Sequence, residues 1–294
     1  MLKLNLGNMQ TGNDADTTLS IKVTEPKDAS DSIDQSRNKP RVIKSVNTNQ
    51  HAIIRDILEL HNDGKPIDCD ITYSIGGFYG KFKDGDDEFV IDQPKYKFDV
   101  FPQFDDVVKL DPLGPIPLED NSLSCVFCDL PFVISCGPSM ETPDYDENGN
   151  KVKNNMISRR FSSYYPVSEL LISYKHWIDE VYRVLKPGGI CAFKNQDSTT
   201  GGRELRTTCW SWLCASSIGF EVVDCFHLIA KARLISGKVN KQQHARKYSS
   251  IFWVFKKGDK KNIRYFDHMS EEEIGSMLDG LKEHWTNPKN RKNN

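Results

Sequence analysis

The chain has 294 residues, of which 27% are charged and 38% hydrophobic, and its formal net charge is -2 at pH 7. This size and balance fit one large globular domain with additions, and they exclude a chain that attracts nucleic acid through overall charge. The sequence contains no apolar run of about 18 residues, and residues 1–10 lack the apolar segment of a secretory signal. We therefore expect a cytoplasmic protein with no membrane partner.

The eight cysteines lie mostly in apolar segments, which is typical of buried free thiols in a reducing compartment. Cys125 and Cys128 form a C-x-x-C pair, the spacing of half a zinc site. A second pair does not follow at zinc-site spacing, and on a strand the two side chains would face opposite sides. We therefore predict a structural role for them and no metal.

Residues 1–46 are rich in Asp, Asn, Ser, Thr and Lys, so we predict a disordered or loosely attached arm. Residues 47–257 are predicted to form the main domain, and residues 258–294 a helical extension. Asn47 and Thr48 are predicted to cap a helix through about Leu60.

A strand over residues 66–73 is predicted to lead into Ser74-Ile75-Gly76-Gly77. A strand followed by small residues and glycines is typical of a nucleotide-binding turn, and equally of an ordinary turn. Residues 81–95 follow as a polar excursion at the place where a compact fold would have a helix. Asp99 then lies near the end of a short strand, where it would accept hydrogen bonds from ribose hydroxyls or remain a solvated acid. Asp111 ends the next apolar run.

The central feature is an apolar strand over Cys125–Cys128 that runs into Asp129-Leu130-Pro131-Phe132. In open α/β sheets, ligands bind outside the carboxyl ends of the strands. A carboxylate, a stiff turn and an aromatic ring at such an end make a site for an amino group attached to a flat ring.

Residues 133–163 form a long polar insert, which favours a lid or a target-recognition loop. Arg159 and Arg160 stand among aromatic residues there, a combination that suits nucleic acid. A loop anchored by its own aromatic side chains remains the alternative. A second basic region between Asp224 and Asp259 lacks any acidic residue and favours a phosphate-facing surface over a solubilising loop. The residues of that region predicted to contact nucleic acid are Lys231, Arg233, Lys241, Arg246 and Lys247.

The second half of the chain alternates helices and strands. Apolar residues at helical spacing predict a helix over residues 168–185, and a buried strand over residues 190–194 follows. We then predict a helix over 201–218, strands over 220–229 and 249–255, and a last helix over 270–285. This order predicts a mainly parallel sheet with helices on both faces.

These motifs resemble a known family. Asp129-Leu130-Pro131-Phe132 resembles the D-P-P-[YF] motif of S-adenosylmethionine-dependent DNA methyltransferases that modify exocyclic amino groups, adenine-N6 or cytosine-N4. The stretch from Asp70 to Gly76 occupies the place of their cofactor turn, and the R-V-L-K-P-G-G at 183–189 is their next landmark. The K-N-Q-D at 194–197 and the H-A-R-K-Y-S-S at 244–250 resemble a branch of predicted DNA modification methylases, so the likeness covers about residues 47–257.

The resemblance implies a Rossmann-like class I methyltransferase fold with a mainly parallel seven-stranded sheet, a terminal antiparallel strand and helices on both faces. It implies S-adenosylmethionine as cofactor and a catalytic segment made of Asp129, Leu130, Pro131 and Phe132. The residues that it implies for cofactor binding are Asp70, Thr72, Tyr73, Ser74, Gly76, Asp99 and Asp111. For Asp70, a role as a strand-end cap is the alternative.

Two positions depart from the family pattern: Ser74 replaces the first glycine of the turn, and Leu130 replaces the first proline of the catalytic motif. Leu130 still offers its main-chain carbonyl, although the turn is less rigid. The resemblance implies DNA as the partner, and within the family an Asp-led motif leans towards adenine rather than cytosine. An RNA amino-group methyltransferase and an inactive nucleic-acid-binding relic of the fold are the alternatives, because a fold does not fix a function.

Overall fold

The computed structural model describes residues 41–134, 148, 164, 167–200, 203–231, 244–258 and 269–286. The chain divides into two units, Met1–Val42 and Ile43–Asn294, and every element named below belongs to the second. The predicted arm over residues 1–46 lies almost wholly outside the described residues, as does most of the 133–163 insert. The assignment of these segments stays a prediction.

The described part of the second unit contains twelve strands and four helices. The strands are β1 (Val46–Asn47), β2 (Cys69–Asp70), β3 (Gly80–Asp84), β4 (Asp87–Ile91), β5 (Tyr96–Asp99), β6 (Val108–Lys109), β7 (Leu123–Asp129), β8 (Leu185–Asn195), β9 (Ser198–Thr200), β10 (Arg203–Leu205), β11 (Phe220–Ile229) and β12 (Ser249–Lys257). The helices are α1 (Gln50–His61), α2 (Val167–Val184), α3 (Thr207–Ile218) and α4 (Glu271–Thr286).

Eight strands form one sheet in the spatial order β1-β11-β12-β8-β7-β2-β5-β6. All neighbours in it are parallel except β12, which runs antiparallel to both β8 and β11. The predicted mainly parallel α/β sheet is therefore confirmed, and it is consistent with a Rossmann-like fold. The sheet has eight strands rather than seven, because the short β1 pairs with the outer side of β11.

The strand order reverses between β2 and β7. From β2 the chain builds β5 and β6 on one side, and then returns to build β7 and β8 on the other. Ligands in open α/β sheets bind at such a switch point, outside the carboxyl ends of the strands. Here the two carboxyl ends are Asp70 and Asp129, the residues with which the predicted cofactor turn and catalytic motif begin.

The core divides along β8, whose successive side chains point to opposite faces of the sheet. Cys191 and Phe193 belong to a cluster with the buried residues of α2, α3 and α4, whereas Ile190 and Ala192 belong to a cluster with those of α1. The same alternation separates Cys128 from Cys125, so the C-x-x-C pair does not converge. Among the described residues, no group of three or more His, Cys, Asp or Glu is placed to hold a metal.

Two segments fold differently from the sequence-based expectation. Where a compact fold would have a helix, the polar excursion at residues 81–95 forms the hairpin β3–β4, with Phe82 and Phe89 paired across it. The helix predicted from residue 201 begins only at Thr207, because residues 203–205 pair with β9. In the hairpin, Gly85 disfavours helix at the turn and burial alternates along β3, so strand pairing outweighs weak helix propensity. At residues 203–205 strand pairing prevails although Arg, Glu and Leu favour helix.

None of the helices that the structure describes is long and apolar enough to cross a lipid bilayer.

The start of α1 is fixed by Asn49 and not by Asn47 or Thr48. The Oδ1 atom of Asn49 accepts hydrogen bonds from the backbone N–H groups of His51 and Ala52, at 3.0 and 3.4 Å. Its Nδ2 atom donates to the Lys83 carbonyl of the hairpin at 2.8 Å. One side chain therefore caps the helix and ties it to β3.

We expect Asn49→Ala to lower the free energy of unfolding by about 1 kcal/mol, because the cap is lost. Asn49→Asp keeps the acceptor oxygen and removes the donor to Lys83. The free energy of unfolding should therefore fall less in this variant than in Asn49→Ala. Urea denaturation of the three proteins measures the difference. Equal losses in both variants would mean that the contact with the hairpin, and not the cap, carries the stability.

Candidate active site

The turn after β2 has a backbone conformation that favours glycine. Ser74 and Gly76 have φ angles of +51° and +69°, in the left-handed region. The Ser74 N–H donates to Oδ2 of Asp99 at 2.7 Å, and the Phe101 N–H donates to Oδ1 of the same carboxylate at 2.7 Å. Burial raises the pKa of Asp99, while these N–H groups oppose the rise. Asp99 at the end of β5 therefore holds the turn in place.

Asp70 lies beneath the turn and is fully buried. Its Oδ1 accepts from the N–H and the hydroxyl of Thr72, at 2.7 and 3.0 Å, and its Oδ2 accepts from the Tyr79 hydroxyl at 2.6 Å. Burial raises the pKa of Asp70 to about 7, although these hydrogen bonds oppose the rise. This arrangement differs from the expected direct contact with a cofactor, because Asp70 supports the turn from inside.

Tyr73 is also turned inward. Its ring is buried and stacks on Tyr79 with the ring centroids 5.5 Å apart, and its hydroxyl donates to the side chain of Gln93. A Cβ atom at Gly76 would lie 2.5 Å from the Tyr73 hydroxyl oxygen. The turn therefore closes over Tyr73, and glycine at position 76 is required for that close approach.

Thr72 joins the turn to the Asp129 motif. Its hydroxyl donates to Asp70 and accepts from the backbone N–H of Asp129 at 2.8 Å. The structure therefore brings together the two motifs that are separated by more than 50 residues in the sequence. Asp129 lies beside the turn that begins at Thr72.

The carboxylate of Asp129 is paired with a lysine. The Nζ atom of Lys194 donates to Oδ2 of Asp129 at 2.8 Å, and the two side chains are 11% and 20% exposed. Sequence reasoning did not assign Lys194 to the site. The signal was present, however, because a lysine that ends the apolar run Ile190-Cys191-Ala192-Phe193 needs a partner when it is buried.

The rest of the motif is anchored from α2 and the insert. Leu130 is buried in the core, and the Pro131 carbonyl accepts from the Tyr174 hydroxyl at 3.0 Å. The backbone N–H of Tyr164 donates to the Val133 carbonyl at 2.9 Å. Phe132 between these anchors is half-buried.

The remaining predicted cofactor residue, Asp111, lies two positions beyond β6 and is exposed. Asp99, Asp111 and Asp129 follow three parallel strands, so they lie along one edge of the sheet. Carboxylate acceptors along this edge suit a ligand that carries hydroxyl and amino donors. The ribose and adenine of S-adenosylmethionine have that chemistry, and the residues present therefore fit this cofactor.

The predicted nucleic-acid contacts are only partly described. Arg159, Arg160, Arg233 and Lys241 lie outside the described residues. Lys231 is exposed and Arg246 is half-buried, whereas Lys247 forms an ion pair with Glu204 at 3.0 Å. Within the same basic region, Lys257 is buried and donates to the carbonyls of Tyr182 and Leu185, so it stabilises the fold and faces no phosphate.

Comparison with known proteins gives little beyond this geometry. Neither a family model nor a curated protein matches the sequence. Among solved structures, a similar chain comes from the "Complex between the Haloferax volcanii Trm112 methyltransferase activator and the putative methyltransferase". It has 10% identity and a TM-score of 0.37, over 73% of this chain and 96% of that chain. A TM-score of that size assigns neither fold nor activity to this chain.

Replacing Asp70 by Asn should change how stability depends on pH. The pKa of Asp70 is about 7 in the folded protein, against an ordinary value of 3.8, so the folded state binds this proton more tightly. The stability contribution of Asp70 therefore falls as pH rises from about 4 to about 7. The difference in the free energy of unfolding between Asp70→Asn and the wild type should therefore shift in favour of the variant by up to about 4 kcal/mol across that interval.

Urea denaturation of both proteins at several pH values measures this gain, and the difference between them cancels the groups that they share. A difference that stays flat between pH 4 and 7 would show that the buried carboxyl titrates normally.

Gly76→Ala should lower the free energy of unfolding by about 1 to 3 kcal/mol, because the new Cβ would meet Tyr73 and the φ angle is positive. Gly77→Ala is the matched control, since nothing lies within 4 Å of a Cβ there. That variant should stay within about 0.5 kcal/mol of the wild type. Equal losses at both positions in urea denaturation would contradict the packing described for Gly76.

Proposed function

We propose that this protein is an S-adenosylmethionine-dependent methyltransferase that acts on the exocyclic amino group of a base in DNA, with adenine as the target. The observation that carries the proposal is the position of Asp129 at the switch point of the sheet, where its backbone N–H donates to the Thr72 hydroxyl of the turn after β2. The proposal includes a class I methyltransferase fold in which β1 is an addition to seven strands.

Residues along the carboxyl edge of the sheet would hold the cofactor. In this proposal the Asp111 carboxylate accepts from the adenine amino group, and Asp99 accepts from the ribose hydroxyls. The exposed Ser74 and the turn to Gly76 lie along the methionine part. When bound, S-adenosylmethionine supplies an electrophilic methyl group on a sulfonium. Asp70 and Tyr73 act indirectly, because they fix the turn from below.

The residues of the motif would prepare the amino group for attack. An amino group conjugated to an aromatic base is a poor nucleophile, because its lone pair is delocalised into the ring. The Oδ1 atom of Asp129, which has no partner among the described residues, and the carbonyl of Leu130 would accept its two hydrogens and localise the lone pair. The carboxylate would also stabilise the positive charge that develops on nitrogen. Phe132 would stack on the base after it leaves the helix, which is worth about 1 to 3 kcal/mol.

The charge around Asp129 supports a neutral amine as the substrate. Lys194 places an ammonium 2.8 Å from Oδ2, so the carboxylate attracts a second cation weakly. The amino groups of lysine side chains are cationic at neutral pH, whereas those of adenine and cytosine are neutral. A nucleobase therefore suits the site better than a protein amine.

The direct test is binding and transfer by the purified protein. Calorimetry measures its affinity for S-adenosylmethionine, and labelled methyl transfer is measured with unmethylated genomic DNA and with total RNA. Mass spectrometry of the digested product then separates N6-methyladenine from N4-methylcytosine. Transfer to RNA alone would support an RNA amino-group methyltransferase. Absence of cofactor binding would support an inactive nucleic-acid-binding protein that has kept the fold.

Asp129→Ala should lower methyl transfer by at least about 100-fold, because a pre-organised acceptor at the reacting group is lost. Cofactor affinity by calorimetry should stay close to that of the wild type. Asp129→Asn is the matched variant, since its amide oxygen can still accept a hydrogen bond, and it should retain more activity than Asp129→Ala. Full activity in Asp129→Ala would remove Asp129 from the mechanism.

A further inference from the structure

Lys194 occupies a position next to the proposed catalytic carboxylate on the neighbouring strand. It is the second-last residue of β8, and it stands in register with Asp129 of β7 in the parallel pairing of the two strands. Side chains in register on adjacent strands point to the same face and meet. The ion pair is therefore built into the sheet and does not depend on a loop.

The surroundings of the lysine leave little water around it. Its side chain is 11% exposed, and its ammonium lies 5.2 Å from the ring centroid of Phe78 and 5.7 Å from that of Phe252. A buried cation is costly unless it is paired, although aromatic faces attract it weakly. The carboxylate of Asp129 supplies the paired charge, so breaking this contact would leave an uncompensated buried ammonium.

A second carboxylate lies near this pair. Asp70 is fully buried and is joined to Asp129 through the Thr72 hydroxyl, and repulsion between the two carboxylates adds to the effect of burial in raising the pKa of Asp70. The ammonium of Lys194 offsets part of the negative charge that the two acids bring to the site.

The contact also fixes the direction of the carboxylate. Oδ2 is bound by Lys194, while the backbone of Asp129 is held by Thr72. Because Lys194 binds Oδ2 at 2.8 Å, orientations that keep one carboxylate oxygen at the lysine are favoured, and a half-turn merely exchanges two equivalent oxygens. The other oxygen, Oδ1, has no hydrogen-bond partner among the residues that the structure describes.

We propose that Lys194 is a positioning residue: it binds Oδ2 of Asp129 and so presents Oδ1 to the amino group that is methylated. This inference rests on the proposed function. It goes beyond it by assigning the orientation of the catalytic carboxylate to one buried lysine on the neighbouring strand.

The test compares Lys194→Met with Lys194→Arg in the full-length chain. Methionine keeps the length and loses the charge, and we expect kcat for methyl transfer to unmethylated genomic DNA to fall by about 10- to 100-fold, as expected for a misdirected catalytic group. KM for DNA and the calorimetric affinity for S-adenosylmethionine should change little, because the loss is confined to the transition state. Arginine keeps a cationic donor and should restore much of kcat.

Lys282→Met is the control for loss of a lysine ion pair. Lys282 pairs with Asp279 within α4, outside the sheet that carries the motif, and its loss should leave kcat unchanged. Unchanged kcat in Lys194→Met would overturn the inference. Parallel losses of kcat, cofactor affinity and stability in urea would also overturn it, because they indicate a merely structural role.

Failure of the proposed function has a different signature. It would appear in the wild-type protein as absence of S-adenosylmethionine binding and of methyl transfer, and it would overturn both proposals. Failure of the Lys194 inference alone would appear in an active wild type whose Lys194→Met variant has the same kcat.

Discussion

The hydroxyl of Thr72 is the contact on which the arrangement at the switch point depends. It donates to the buried Asp70 and accepts from the backbone of Asp129, so it joins the ends of two neighbouring parallel strands. A hydroxyl suits this position because it can donate and accept at once. Without it, the Asp129 N–H would lack a partner inside the protein, and an unpaired buried donor is costly.

The same site brings together three ionisable side chains, those of Asp70, Asp129 and Lys194. Among the described residues, Asp70 has no countercharge and relies on hydrogen bonds from Thr72 and Tyr79, while Asp129 has Lys194. Burial consequently raises the pKa of Asp70 towards neutrality. The two acids therefore have different surroundings: Asp70 stabilises the turn from inside, and Asp129 is paired with Lys194. Perturbed acids in a cleft are a common mark of functional sites, although structural networks also produce them.

The hairpin β3–β4 changes how the turn is supported. In many nucleotide-binding folds a helix follows the glycine turn, and its N-terminus offers backbone N–H groups to a phosphate. Here a hairpin follows instead, and it is tied to α1 through Asn49 and through Arg55, which pairs with Asp87. Such a turn has no helix dipole behind it. That suits a cofactor without a phosphate group, which is the case for S-adenosylmethionine.

The sequence by itself determined the class of fold and the strand end at which the proposed site lies. The apolar run that ends in Asp129 identifies a strand end, because an acid is rarely tolerated inside a buried strand, and α2 follows from its helical spacing of apolar residues. The strand predicted over residues 66–73 is shorter than expected, since β2 ends at Asp70. Three features depend on contacts between residues that are distant in the sequence, and only the tertiary structure decided them. It turned Asp70 inward, paired residues 81–91 as a hairpin, and brought Lys194 to Asp129 from 65 residues away. Each of these depends on which strands become neighbours, and that is settled by the packing of the whole sheet rather than by propensity along the chain.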